Sequence, residues 1–177
     1  MSDAELRYPI GKYQPVEKLS EENRKQLMAQ IEEAPGKLRA AVVGLSPEQL
    51  ATPYRDGGWT VQQVVHHLAD SHMNSYVRFK LALTEDEPTI KPYNETRWAE
   101  LSDSKMTPME TSLALMDGLQ ERWINLLRGM SAADFARKMR HPERGTVTLD
   151  DYLGLYAWHD RHHVAHITGL RERKGWK

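Results

Sequence analysis

Four of the chain's eight histidines, His159, His162, His163 and His166, fall within eight residues of one another. Imidazoles one helical turn apart can turn ring nitrogens toward a single cation, the geometry behind helical zinc motifs. Both His159/His163 and His162/His166 have this i, i+4 spacing. On a helical wheel, Leu149, Tyr152, Leu153, Tyr156, Ile167 and Leu170 gather on one face. At about 100° per residue, His163 lies near the middle of that face and His159 about 40° round, whereas His162 and His166 stand roughly 120° and 80° from the apolar centre. The first pair is therefore the inward one. Two ligands are too few for a typical site, and a histidine on an apolar face is ordinarily a hydrogen-bonded core residue, so a third ligand decides. His66, His67 and His72 are the candidates. Val61, Val64, Val65, Leu68, Phe79 and Leu83 mark a buried stripe that contains His72 and has His67 on its flank. Periodicity favours His72, while a cleft beside the stripe admits His67.

The rest of the composition narrows the chemistry. The chain has no cysteine, so a metal must be held by nitrogen and oxygen, and any thiol must come from outside. Lys plus Arg number 24 against 25 Asp plus Glu, a balance that argues against nucleic acid as a partner. Met1 to Tyr13 lacks the apolar core of a signal peptide, and no apolar run approaches the length of a membrane span. A cytoplasmic protein is expected, with no membrane partner. Its 177 residues suit one domain, 1–177.

Four long helical segments must position these residues, in an all-α protein. The first is expected from about Ser20 to Gly44, kinked at Pro35-Gly36. The second opens at Thr60, with Gln63 closing a capping box, and runs to about Thr84. The third is announced by Thr107-Pro108-Met109-Glu110, read as cap, first-turn proline and box-closing glutamate, and ends near Gly129. The fourth runs from Thr148 to about Lys174, before Gly175. Between the second and third, Glu85 to Met106 is too long for a hairpin loop. It reads as a crossover carrying a short helix around Glu95 to Leu101. Gly44-Leu45-Ser46-Pro47 and Gly129-Met130-Ser131-Ala132 echo one another ahead of the second and fourth helices. The echo suggests a duplicated helical pair, and His141 to Val147 suggests a small hairpin.

The motifs Gly57-Gly58-Trp59-Thr60, Val65-His66-His67-Leu68-Ala69-Asp70-Ser71-His72 and Tyr156-Ala157-Trp158-His159-Asp160-Arg161-His162-His163-Val164-Ala165-His166-Ile167 resemble the DinB/YfiT-like superfamily. Tyr8-Pro9-Ile10-Gly11 and Lys91-Pro92-Tyr93-Asn94-Glu95 with Trp98 fit its YfiT-like branch. The resemblance implies an up-down-down-up four-helix bundle, a homodimer and a divalent ion held by His67, His159 and His163. The pair in helix four agrees with the wheel; the choice of His67 over His72 rests on the resemblance alone.

Three neutral imidazoles leave a bound ion its full charge and an open position. Zinc is the first expectation, with nickel or manganese as alternatives. The resemblance implies a metal-dependent hydrolase, with transfer of a low-molecular-weight thiol of the bacillithiol type as the alternative, and a small molecule as partner. A dimeric metal-binding bundle without catalysis is the third reading. Asp70 and Asp160 are candidates for orienting a ligand imidazole, and Arg97 for binding an anionic group of the substrate.

Overall fold

Ser20, Ser46, Thr60, Ser131 and Thr148 each accept, on the side-chain oxygen, the backbone N–H three residues on. Each contact satisfies a donor that a helix start leaves unpaired. In the computed structural model, which describes residues 2–176, the chain runs through α1 (Asp3–Arg7), α2 (Glu21–Glu32), α3 (Ala34–Val42), α4 (Pro47–Leu50) and α5 (Val61–Thr84). It continues through α6 (Glu95–Trp98), α7 (Ser102–Met106), α8 (Met109–Arg128), α9 (Ala132–Phe135), the hairpin β1 (Lys138–His141) and β2 (Gly145–Thr148), and α10 (Leu149–Lys174). No helix among the described residues is long and apolar enough to cross a membrane.

Four bundle positions are filled by α2 with α3, by α5, by α8 and by α10. Cross-helix contacts give their directions. Arg128 binds Glu32 while Arg39 binds Glu110 and Asp117, so α2–α3 and α8 are antiparallel. His66 meets Ser112 and His72 meets Gln120, so α5 and α8 are parallel. His67 faces His159 and Arg78 faces Tyr152, so α5 and α10 are antiparallel. Arg24 holds Asp150 and Arg171 holds the Ala41 carbonyl, so α2–α3 and α10 are parallel. The result is an all-α, up-down-down-up four-helix bundle, with the Glu85–Met106 crossover joining the parallel pair.

The expected kink interrupts the helix at one residue, Glu33, which lies between α2 and α3 and keeps right-handed helical dihedrals. Pro35 has no N–H to return to Ile31, and the Ile31 carbonyl instead accepts the Gln120 side-chain amide. The echo before α5 and α10 is real: Ser46 with Gln49 and Ser131 with Asp134 form matching capping boxes on α4 and α9. The hairpin forms, with Met139 opposite Val147. The expected Thr107 capping box does not. Pro108 is the N-cap residue of α8 and no side chain caps it. The Thr107 carbonyl receives the His66 ring and the Gln62 amide, and the Glu110 carboxylate is drawn to Arg39. The crossover carries α7 in addition to the expected short helix.

Apolar side chains form two clusters, one around Phe79, Trp123 and Tyr152, the other around Leu38, Leu68, Leu113 and Ile167. A polar layer separates them, because α5, α8 and α10 all change from apolar to polar residues at the same height. Ser71, His72, Gln120, Asp160 and His163 are buried in it.

Candidate metal centre

His67 projects from α5, and His159 and His163 from successive turns of α10. These residues each offer a ring nitrogen, and the three atoms lie within 4.8 Å of one another. His67 Nε2 and His159 Nε2 are 3.3 Å apart. Two nitrogens bound tetrahedrally at about 2.0–2.1 Å from one ion stand about 3.4 Å apart, so this pair already has the required spacing. Burial, reinforced by neighbouring histidines, pushes His67 down to about 3 and holds His159 and His163 well below the ordinary imidazole range. All three are neutral at physiological pH, with lone pairs available. The buried Nδ1 of His159 has no hydrogen-bond partner. The donor set therefore fits a divalent ion of borderline softness.

His72 does something else. Its Nδ1 is 3.0 Å from Gln120 Oε1 and its Nε2 is 2.5 Å from Asp160 Oδ1. Asp160 thus engages His72 and not a member of the triad. Asp70 is half-buried; burial, then Asp103, pushes its carboxyl up to about 6. Among the described residues it makes no side-chain hydrogen bond to His67. His66 is a tie between helices, bonded to Ser112 Oγ at 2.7 Å and the Thr107 carbonyl at 3.0 Å.

The wheel places His162 and His166 away from the apolar face, yet both are buried. The chain before α2 covers them. His166 Nε2 donates to the Arg7 carbonyl at 3.1 Å, and its ring stacks on Tyr54 at 4.0 Å. His162 stacks on Trp158 at 4.4 Å and meets Tyr8 at 5.9 Å. With its proton on Nε2, His166 presents a bare Nδ1 to His163 Nδ1, 3.4 Å away. His163 then donates from Nδ1 and keeps Nε2 as its free lone pair. This relay, Arg7 carbonyl to His166 to His163, is the tautomer-fixing support that ligand imidazoles usually have. The signal that could have revealed it is the length of chain before Ser20, enough to lie along α10.

The triad lies in a cleft of about 640 Å³. The turn at Gly57, with φ of +63°, and at Gly58, where a Cβ would sit 2.8 Å from Arg55 Cγ, brings Trp59 over the site. Its ring stands 4.5 Å from His67 and 6.1 Å from His163. Ser71, Tyr93, Tyr156 and Arg78 line the side remote from Trp59's turn. Tyr93 is packed by Trp98 at 4.4 Å. Arg97 is exposed on α6 and does not line the cleft.

Comparisons with known proteins agree with this fold. The chain is 53% identical to YfiT of Bacillus subtilis strain 168, over 99% of both chains. It is 55% identical to a Bacillus mycoides protein, over 97% of this chain and 99% of that one. Both relatives carry the provisional name of metal-dependent hydrolase. The solved structure of YfiT, described as having an unusual four-helix bundle topology, superposes with a TM-score of 0.96, covering 98% of this chain and 99% of that one. A four-helix bundle protein called TT2238, 20% identical, shares the fold with a TM-score of 0.58, covering 80% of this chain and 94% of that one. With residues 30–167 also matching the pattern of the DinB superfamily, the chain belongs to that superfamily, in its YfiT-like branch.

Proposed function

We propose that this protein is a metal-dependent hydrolase of a small molecule, with one divalent ion held by His67, His159 and His163. The observation that carries the reading is the convergence of three neutral imidazoles, with no carboxylate among them, at the wall of a 640 Å³ cleft. A structural zinc site normally fills all four positions with protein, whereas three ligands and a cavity are the catalytic pattern. An all-nitrogen set suits zinc or nickel better than manganese. When bound, such an ion supplies Lewis acidity and brings the ionisation of water near neutral pH.

The chain's own residues do the rest. His166 holds the proton of His163 on Nδ1. Trp59 closes one side of the triad against bulk water. Burial, reinforced by Tyr156, keeps the Tyr93 phenol protonated, so it can donate a hydrogen bond to a developing oxyanion. Tyr156 already donates to the Ser71 carbonyl at 3.1 Å and serves as packing between the triad and the far end of the cleft.

Thiol transfer uses the same imidazoles and is the second reading, since a chain without cysteine would take its thiol from outside. Assays of the metal-loaded protein with ester and amide substrates, beside an electrophile with a low-molecular-weight thiol, separate the two. Turnover of esters or amides that a chelator abolishes, with helical content intact, is the expected result. Turnover of the thiol pair alone would replace hydrolase with transferase, and turnover of neither would leave a non-catalytic metal-binding bundle. A homodimer belongs to the same proposal, and sedimentation at micromolar concentration tests it separately.

A further inference from the structure

Two arginines are buried among the described residues, and they are treated differently. Arg24, 8% exposed, is gripped by both oxygens of Asp150 at 2.7 and 2.8 Å. Arg78, 7% exposed, touches only neutral oxygens: the Tyr152 hydroxyl at 3.3 Å and the Lys91 carbonyl at 3.1 Å. Among the described residues no carboxylate pairs with it. A buried guanidinium without a counter-ion is costly, yet this one opens onto the cleft that contains the triad.

Among the described residues its surroundings supply no second free buried charge, and the exposed Glu95 and Glu143 line the same cleft. Arg144 stands at the same end, already paired with Asp151 at 3.0 Å. His141, buried beside them, is pushed down by burial and then by the charges of Arg78 and Arg144. Its Nδ1 accepts the Glu143 backbone N–H at 3.2 Å, which leaves a proton on Nε2. Arg78 is therefore the one buried, uncompensated positive charge at this end, supplemented by neutral donors. One free positive charge and a planar fork of N–H groups match a carboxylate better than a dianionic phosphate.

The spacing is set by α10. Tyr152, which bonds Arg78, and His159, in the triad, are seven residues apart, about 10 Å of helix. The rings of Tyr152, Tyr156 and His159 step between them at 5.8 and 5.6 Å. From this we infer that the cleft selects a substrate carrying a carboxylate about 10 Å from the reacting bond, with Arg78 binding that carboxylate and Tyr152, His141 and Arg144 shaping its subsite. The reacting end rests on the function proposed above; the anionic end does not.

The test therefore begins without turnover. Glutarate and its neutral counterpart glutaramide are titrated into the protein, with and without added zinc, while the Arg Nε–H resonances are followed by NMR. Glutarate should shift the Arg78 resonance and glutaramide should not. Arg78→Gln, which retains an amide for the Lys91 carbonyl, should weaken glutarate binding at least tenfold. Arg78→Lys should recover part of it, and Arg144→Gln should weaken it less. For the loaded protein, a nitrophenyl ester with a terminal carboxylate should exceed its methyl-capped form by 10- to 100-fold in kcat/KM, and Arg78→Gln should collapse that ratio. Equal shifts by glutarate and glutaramide, or glutarate binding unchanged in a folded Arg78→Gln protein, would overturn the inference. Glutarate binding to Arg78 without turnover of any ester would support the subsite while removing the hydrolase reading.

Discussion

Gln120 Oε1 lies 3.0 Å from His72 Nδ1, and this contact completes, opposite Asp160, the surroundings that hold a charge on a fully buried histidine. The Gln120 amide nitrogen is committed to the Ile31 carbonyl, so its oxygen must face His72 and accept. His72 Nε2 meets Asp160 Oδ1 on the other side. Both ring nitrogens therefore donate. Burial opposes the charge, but Asp160 and the two hydrogen bonds outweigh it and raise the pKa of His72 above its ordinary value.

Asp160→Asn should accordingly destabilise the fold by about 3–5 kcal/mol, because it strands one member of a buried pair. Urea unfolding of the metal-free protein measures this. A loss below about 1 kcal/mol would show that the pair contributes no more than a surface contact.

His67→Ala and His72→Ala should fail in different ways. The first removes one of the three triad imidazoles, so stoichiometric zinc should be lost while the melting temperature of the metal-free protein changes little. The second empties the polar layer and leaves Asp160 without its partner, so stability should fall and residual folded protein should still bind zinc. Metal analysis after dialysis, paired with thermal melts, separates them. The reverse pattern would make His72 the ligand.

Acid should unfold the metal-free protein earlier than a bundle of this size otherwise would. His67 is depressed to about 3, and His162 and His166 to about 4, chiefly by burial. The unfolded chain, with imidazoles near 6.5, takes up protons that the folded chain refuses. Stability from these groups is thus intact above about pH 6.5 and declines as pH falls toward 4 and then 3. A histidine as fully buried as His67 costs up to about 1.4 kcal/mol per pH unit in that window, and His162, closer to solvent, costs less. His72 has the opposite sign: its contribution is complete below about pH 6.5 and is lost as pH rises through its raised value. Chemical denaturation between pH 4 and 8 checks both, and a flat profile below 6.5 would contradict the burial of the cluster.

His166 should act on metal affinity through one ring nitrogen. His166→Asn keeps an acceptor near Nδ1 and should preserve most of the affinity. His166→Gln keeps a donor toward the Arg7 carbonyl but offers His163 no acceptor, and should lose about 10- to 100-fold. Competition against a chromogenic chelator reads the difference. Equal losses would assign His166 a packing role only.

Part of this architecture is legible in the sequence. The inward pair His159/His163 is visible because α10 carries apolar residues on both sides of it, and the caps Thr60 and Thr148 reveal where the long helices start. Periodicity also reads His72 correctly as buried, at 0% exposure, but depth does not distinguish a ligand from a salt-bridged core residue. That distinction depends on Asp160 and Gln120, which lie 88 and 48 positions away. The proximity of His67 to His159 and His163 is implied by the family pattern and not by periodicity. The burial of His162 and His166 was hidden for a similar reason, since the residues that cover them begin about 150 positions earlier. The Thr107 capping box fails because its groups are engaged elsewhere: the Thr107 N–H bonds the Asp103 carbonyl as α7 ends, and the Glu110 carboxylate pairs with Arg39.

The segment ahead of α2 runs along α10 like a zip. The Arg7 carbonyl takes the His166 ring, the Gly11 carbonyl takes Trp158 Nε1 at 3.2 Å, and Tyr13 donates to Asp151 at 2.8 Å. Peeling it back would flood one wall of the histidine cluster and free the proton arrangement on His163. An affinity tag placed at the amino end can therefore detune the very site it is used to purify. A tag appended at the carboxyl end, past the left-handed Gly175 that stops α10, leaves the zip closed.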